Sequence, residues 1–172
     1  CDNKEGALTE RDLKLAKSFG DMAEIALNYI SNKEKLIESE ERFQLAMNAS
    51  HDGLWDWNLS TGDVYFSDGW ARILNIKDIE HTYDTFESRI HPEDKDTVLK
   101  SITDHLELKN QNWEKDFRMY ADTGEYKWVK GRGQVVKRES KDKPVRMVGT
   151  MTNIEDQKHA EAELIKAKEK AE

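Results

Sequence analysis

The sequence predicts an α+β fold: a five-stranded antiparallel sheet with a helical insert, flanked by an amphipathic helix at each end. Three observations predict it. All five tryptophans, both prolines and most glycines lie between residues 48 and 153. The same region carries strand-like alternation of apolar and polar residues. The segments on either side lack proline, are rich in charge and space their apolar residues as helices do.

The composition limits how much of the chain can be buried. One ordinary domain plus additional helix accounts for 172 residues, of which 37% are hydrophobic and 36% charged. The net charge of -8 argues against nucleic acid as a partner, because that affinity rests largely on Lys and Arg. No apolar stretch approaches the ~18 residues of a membrane-spanning helix, so we expect no membrane contact by this segment.

The cysteine content indicates a reducing environment. Cys1 is the only cysteine, which excludes a disulfide framework and a cysteine-based zinc site. We therefore expect a cytoplasmic location. Because the chain begins with Cys and ends within a helical pattern, we interpret it as a segment of a longer protein.

Residues 9–47 are predicted to form a long helix. Thr9 is a good N-cap, and acids follow it in the first turn. Apolar residues recur at alternating steps of four and three, which is heptad spacing and favours a parallel homodimer. The alternative is a single helix packed on its own domain. The predicted dimer seam consists of Leu15, Phe19, Met22, Ala26, Tyr29 and Leu36 in this helix, and Leu164 near the C-terminus.

The central region begins with a predicted hairpin and helical insert. Residues 53–59 alternate large and polar side chains, residues 60–63 supply a turn, and residues 64–66 form the returning strand. Ser67 and Asp68 are then expected to cap a short helix over residues 69–74. A longer helix starts at Pro92, with acids in its first turn.

Three consecutive strands are predicted next. Residues 113–121 and 125–137 are joined by a tight turn containing Gly124, and a polar loop at residues 141–144 precedes a strand over residues 145–153. This order of elements implies one antiparallel sheet covered on one face by helices. The glycines Gly131 and Gly133 are expected to let a helix or backbone approach the sheet closely.

Residues 154–172 are predicted to be helical again, directly after the last strand. Its stripe is Ala160, Leu164, Ala167 and Ala171, with Lys and Glu between. Such a helix buries too little apolar surface to fold alone. We expect it to pair with a second copy of itself or to continue into a longer helix.

Several motifs together resemble a PAS domain. They are Glu40-Glu41-Arg42-Phe43, Gly53-Leu54-Trp55-Asp56-Trp57, His91-Pro92-Glu93-Asp94, the segment 122–129, and the segment 148–158. The resemblance covers residues 41–158 and includes both the Trp-rich first strand and the later half known as PAC. It implies the PAS fold and a role in sensing or relaying signals.

The last motif departs from the usual PAS sequence. Asn153 stands where an Asp is usual, and Glu155 where a Thr is usual. In the family this segment ties the last strand to the output helix. The resemblance therefore implies that Asn153, Ile154 and Glu155 relay the signal.

The first helix resembles the last helix of a GAF domain over residues 8–30. The chain then divides into the end of a GAF-like domain (1–40), a PAS domain (41–153) and a signalling helix (154–172). This order resembles the middle of a multi-domain sensor histidine kinase with an effector domain further along the same chain. A ligand-free dimerisation spacer and a PAS module of a cyclic-dinucleotide cyclase are the alternatives.

No catalytic or metal site is predicted. A P-loop, a nucleophile elbow and paired metal-binding histidines are all missing. Flavin photosensors of the LOV kind need a cysteine in the helical insert, where this chain has none. His105 lies near the place where haem-binding PAS domains hold their ligand, but a lone histidine on a helix is usually solvated. We therefore expect neither haem nor flavin.

Any ligand is expected between the helical insert and the inner face of the sheet, the one concave space of this architecture. The sequence leaves open which strand parity faces inward, and a filled, ligand-free core is the alternative. The candidate pocket residues are Trp57, Phe66, Trp70, Ile73, Phe117, Met119, Trp128 and Met147.

Overall fold

The computed structural model describes residues 9–108, 112–140 and 142–170. Residues 1–8 of the predicted GAF-like segment, residues 109–111, residue 141 of the predicted loop and residues 171–172 of the predicted C-terminal helix lie outside the described residues. The chain divides into two compact units between Ala46 and Met47. Within the described part, no helix is both long and apolar enough to cross a membrane.

The first unit consists of most of one long helix, α1 (Glu10–Ser50), of 41 residues. Thr9 caps it as predicted: its hydroxyl accepts a hydrogen bond from the Asp12 N–H at 3.3 Å, while the Asp12 carboxylate accepts one from the Thr9 N–H at 2.9 Å. None of the described residues of α1 is buried. Contacts within this chain therefore leave its apolar residues uncovered.

The second unit is an α+β domain. Its strands are β1 (Gly53–Asn58), β2 (Val64–Phe66), β3 (Trp113–Tyr120), β4 (Tyr126–Ser140) and β5 (Lys143–Asn153). Its helices are α2 (Asp68–Ile73), α3 (Tyr83–Glu87), α4 (Pro92–Leu108) and α5 (Glu155–Glu169). The five strands form one antiparallel sheet in the order β2-β1-β5-β4-β3, which confirms the predicted fold class.

Element boundaries differ from the predictions by a few residues, most at the outer ends of β4 and β5. There β4 runs to Ser140 and β5 starts at Lys143, with register shifts between Val135 and Ser140. Pro144 pairs within this irregular end, where the ladder is already interrupted. Helix α3 was not predicted, since five residues are too few to show a helical period.

Ser67 occupies the predicted N-cap position of α2 but makes a different bond. Its hydroxyl accepts a hydrogen bond from the Leu54 N–H at 2.8 Å instead of capping the helix. A Cβ on Gly53 would lie 2.5 Å from the Cα of Trp70, so β1 and α2 approach backbone to backbone. Glycine at position 53 therefore brings the helical insert down onto the first strand.

The core lies between one face of the sheet and the helices α2 and α4. Its fully buried members include Trp70 from α2, Val98 from α4, and Phe117 and Met119 from β3. Cross-strand register places Phe117 opposite Val129, and both are buried. This is the inner face of the sheet.

Candidate functional site

The strand register decides which side chains face the helices. Phe117 pairs with Val129 on the inner face, so Arg118 and its partner Trp128 lie on the outer face. On β1 the inner residues are Trp55 and Trp57, opposite the buried residues Phe66 and Val64. The strand register therefore shows which alternate residues of each strand face the helices, a question that the sequence left open.

A small cavity lies between the inner face and the helical insert, where a ligand was expected. Its volume is about 40 Å³. A buried water needs roughly 10–15 Å³, so the cavity has room for a few water-sized groups. It is lined by Trp55, Trp57, Val64, Phe66, Trp70, Tyr83, Phe86, Trp113, Phe117, Gly131 and Met151.

Tryptophan rings fill much of the space above the glycines of the sheet. A Cβ on Gly131 would lie 2.7 Å from the ring of Trp113, and one on Gly133 would lie 2.5 Å from the ring of Trp55. The two rings meet edge to face, with centroids 6.3 Å apart. The close approach predicted at these glycines is therefore made by indoles, and the prediction of a helix or backbone there is wrong.

The predicted pocket residues fall into three groups. Trp57, Phe66, Trp70 and Phe117 line the cavity. Ile73, Met119 and Met147 are buried in the same core without lining it. Trp128 is on the outer face of the sheet, because it is one residue out of step with the inner residue Val129.

Sequence reasoning missed most of the lining. Trp55 could have been found, because it is two residues from Trp57 on the same strand and therefore shares its face. Tyr83 and Phe86 gave no such signal, since they come from the short helix α3. Tyr83 stacks on Trp57 with ring centroids 4.6 Å apart and closes this side of the cavity.

The polar groups near the cavity are few. The Trp57 Nε1 is buried and has no hydrogen-bond partner among the residues that the structure describes. Burial, helped by the nearby Glu87 carboxylate, raises the pKa of Tyr83 to about 12. The site is therefore an aromatic, uncharged enclosure that favours small apolar groups over ionic ones.

Two hydrogen bonds hold the junction between β5 and α5 to the neighbouring strand β4, and a third lies within the predicted relay residues. The Ile154 N–H donates to the Trp128 carbonyl at 3.0 Å, and the Glu155 carboxylate accepts from the Trp128 N–H. The Asn153 side chain accepts from the Glu155 N–H at 2.9 Å and so satisfies the first turn of α5. Ile154 is buried, and no loop separates strand from helix.

Comparison with known proteins identifies this arrangement. The model of the PAS fold matches residues 63–151, about half of the chain. The chain belongs to the PAS-fold family. The resemblance of residues 8–30 to a GAF domain stays a prediction.

Two curated relatives of this PAS protein are a hybrid signal transduction histidine kinase and a sensor protein. It is 31% identical over 104 residues to hybrid signal transduction histidine kinase A of Dictyostelium discoideum, covering 60% of this chain and 4% of that protein. It is 25% identical over 125 residues to sensor protein FixL of Bradyrhizobium diazoefficiens, covering 72% of this chain and 24% of that protein. The chain thus spans a quarter or less of either relative.

Solved structures show the same fold. A sensory box histidine kinase/response regulator from Burkholderia thailandensis superposes with a TM-score of 0.66 and 32% identity, covering 76% of this chain and 97% of that one. The N-terminal domain of a diguanylate cyclase with PAS/PAC sensor from Marinobacter aquaeolei gives a TM-score of 0.55 and 22% identity, covering 63% and 99%. The first supports a sensory PAS module, and the second shows the fold alone.

His105, the one histidine considered as a haem ligand, is buried in α4. It is 4% exposed, and neither ring nitrogen has a hydrogen-bond partner among the described residues. Burial, with a smaller contribution from the Arg138 charge, lowers the pKa of His105 below its usual value. The ring does not line the cavity. The expectation that His105 is solvated is therefore wrong.

The predicted dimer seam is exposed throughout. In α1, Leu15 is 57% exposed and Leu36 is 68% exposed, and Phe19, Met22, Ala26 and Tyr29 are exposed as well. Leu164 of α5 is also exposed.

No group of three or more metal-binding side chains occurs in the described residues.

Proposed function

We propose that this PAS domain is a sensory and signal-relay module of a sensor histidine kinase, passing a conformational change to an effector through α5. The observation that carries the proposal is the direct joint between sheet and helix. Backbone and side-chain bonds to Trp128 fix Ile154 and Glu155, so movement of β4 or β5 displaces the start of α5. The kinase assignment is supported by the Dictyostelium relative and by the Burkholderia structure, both of which are named histidine kinases.

A second copy of the chain is the proposed partner. The row of exposed apolar residues along α1 follows heptad spacing over several turns, and a single soluble helix gains nothing from such a row. A parallel pair of α1 helices would bury this row in its interface. Each copy would then contribute one α5 and one effector domain to the same dimer.

The module is proposed to relay a change in packing without catalysing a reaction, and without haem or flavin. The cavity of about 40 Å³ is far smaller than either ring system, and its lining offers no charged side chain. An absorbance scan of the purified protein above 350 nm tests this part. A haem or flavin band that copurifies with the protein would overturn it.

The relay is tested in the full-length protein that contains this chain, by measuring effector output. Inserting Gly-Gly between Glu155 and Asp156 separates the rest of α5 from the bonds that Ile154 and Glu155 make with Trp128. We expect loss of the regulated output, because the flexible joint absorbs the displacement. The matched control inserts Gly-Gly after Thr61, in the exposed turn between β1 and β2. Equal output from both variants would contradict the proposal.

A dimerisation spacer that senses nothing is the second candidate, favoured by how little free volume the cavity holds. Phe86→Trp separates the two functions, because a larger ring from α3 fills the remaining space. A sensor with this cavity as input would be fixed in one output level. A spacer would show unchanged output with an intact dimer.

A further inference from the structure

Arg118 connects the start of α4 to the outer face of the sheet. Its guanidinium forms a fork-like pair with Asp94, with Nε 2.9 Å from Oδ2 and Nη2 2.7 Å from Oδ1. The same Nη2 also lies 2.9 Å from a carboxylate oxygen of Glu93. The Arg118 N–H donates to Asp94 Oδ2 at 2.9 Å. Both ends of the Arg118 residue are therefore tied to the first turn of α4.

Two cationic side chains, from two different elements, lie near the Trp128 ring. The guanidinium carbon of Arg118 lies 5.4 Å from the centre of the Trp128 ring, and the ammonium of Lys158 in α5 lies 5.3 Å from it. Lys158 also pairs with Asp116 of β3 at 3.0 Å. Both partners of that pair are about three-quarters buried, so water screens it less than an exposed pair.

These contacts form one continuous path around the edge of the sheet. Helix α4 covers the inner face, where its Val98 and Ile102 belong to the core. Strand β3 is one of the two edge strands, and Arg118 reaches from it to Asp94 of α4 and to Trp128 of β4. Lys158 continues the path into the second turn of the output helix.

The geometry points to a second coupling route, in which Asp94, Arg118, Trp128 and Lys158 transmit the position of α4 to α5 around the β3 edge. It rests on the proposed relay function and adds a path that does not pass through the β5–α5 joint. Arg118 is the positioning residue: Asp94 fixes the plane of its guanidinium, and the guanidinium lies against the Trp128 ring. The Trp128 ring in turn contacts Lys158, which lies near the start of α5.

The route can transmit a displacement because the Arg118 guanidinium and the Trp128 backbone are both held in one orientation. A planar guanidinium held by a bidentate carboxylate and a third acceptor cannot rotate without breaking several charge-assisted bonds. The Trp128 backbone is fixed on both sides of its Cα by Ile154 and Glu155. A shift of the α4 N-terminus therefore reaches α5 through rigid groups, with no flexible side chain before Lys158.

Hydrogen–deuterium exchange on the whole 172-residue chain tests the route. Asp94→Asn leaves the shape of the side chain and removes its charge. We expect the amides of residues 158–162 to exchange at least fivefold faster, although Asp94 does not touch α5. The matched control is Asp56→Asn, which breaks the ion pair with Arg146 on the same sheet face but outside the path. Unchanged exchange in α5 after Asp94→Asn would overturn the route.

The same exchange experiment in a Trp128→Leu protein distinguishes transmission along this route from a general loss of stability. In a Trp128→Leu protein the ring that links Arg118 to Lys158 is gone, so adding Asp94→Asn should leave α5 exchange unchanged. Equal acceleration with and without the ring would mean that the effect is global, and would overturn the route. Neither result depends on effector output, so the route can fail while the proposed function stands.

Arg118→Lys provides the conservative variant. Lysine keeps the charge but cannot form the bidentate pair with Asp94 or present a flat face to Trp128. We expect it to accelerate α5 exchange as much as Asp94→Asn does. Wild-type exchange in Arg118→Lys would show that charge alone is sufficient and would contradict the positioning role.

Discussion

The ring of Trp55 occupies the space that a side chain on Gly133 would need: a Cβ there would lie 2.5 Å from the indole. A Cβ on Gly149 would also overlap this ring, as well as the Arg132 carbonyl. Two neighbouring strands therefore lack side chains where the inner face of the sheet receives the Trp55 indole. The volume that could hold a ligand in this architecture is largely filled by the protein itself.

Gly133→Ala should destabilise the domain, because the Trp55 ring or the β4 backbone must move. Overpacking of this kind costs about 1–3 kcal/mol in the free energy of unfolding. Urea unfolding followed by tryptophan fluorescence measures it. Gly20→Ala in α1 is the control, since nothing lies within 4 Å of a Cβ at that position. Equal midpoints for Gly133→Ala and wild type would mean that the indole moves aside without cost.

Trp55→Ala should open a cavity that binds indole. Removing a large ring from a core destabilises by about 3 kcal/mol or more, and added indole should restore part of this by filling the space. Thermal unfolding with and without indole is the measurement. Trp128→Ala is the matched control, because it removes the same ring from the outer face. Equal stabilisation of both variants by indole would argue against an enclosed site.

His105→Leu should make the domain less sensitive to mild acid. The folded-state pKa of His105 is lowered, so on acidification the unfolded chain takes up its proton first. Stability is therefore lost as the pH falls from the ordinary histidine value of about 6.5 towards the lower folded pKa. Leucine removes this dependence and also two buried, unpaired nitrogens, which adds stability of about 1 kcal/mol at pH 7.

Denaturant unfolding at pH 7 and pH 5 measures the change in His105→Leu. His159→Gln is the control, because it removes an exposed imidazole on α5. If the free energy of unfolding changes equally with pH in His105→Leu and in wild type, burial of His105 does not cause the loss of stability in mild acid.

Asp94→Asn should flatten the stability profile in stronger acid. The hydrogen bonds from Arg118 lower the pKa of Asp94, so its pairing stabilises the folded state above the unfolded carboxyl value of about 3.9. In wild type this contribution disappears as the pH falls through the lower folded pKa. The variant lacks the contribution at neutral pH and should lose less below pH 4. Unfolding curves from pH 6 to pH 3 would show parallel profiles if the pair contributed nothing.

Leu15→Glu and Leu36→Glu should weaken the proposed dimer more than Lys17→Glu, because Lys17 lies on the side of α1 away from the seam. Leucine at these positions lies in the exposed apolar seam of α1, where a carboxylate would have to be buried on association. Sedimentation at micromolar concentration measures the change. A monomeric wild type, or equal weakening by all three changes, would contradict the seam.

How far the site could be predicted differs from residue to residue. Trp57 and Phe66 were predicted for the pocket and line the cavity, since two-residue periodicity on a hairpin ties them to one face. Trp128 was assigned to the same pocket and lies outside it. Which face of the sheet its side chain occupies is decided by the pairing of β4 with β3, and its neighbours in sequence do not reveal that pairing. His105 looks like any surface histidine in sequence, and only the packing of α4 on the sheet buries it.

The sequence alone predicted the strands, every helix except α3 and the helical segments at both ends, because these follow from local periodicity and turn residues. The PAS fold was predicted from the motifs that resemble the family. Tertiary structure alone decided which tryptophans fill the cavity, which one lies beside α5, and that Lys158 and the Asp94-bound Arg118 lie near that ring. The reason is physical: those contacts join residues far apart in the chain, and the long-range register that brings them together is set by the whole packed sheet.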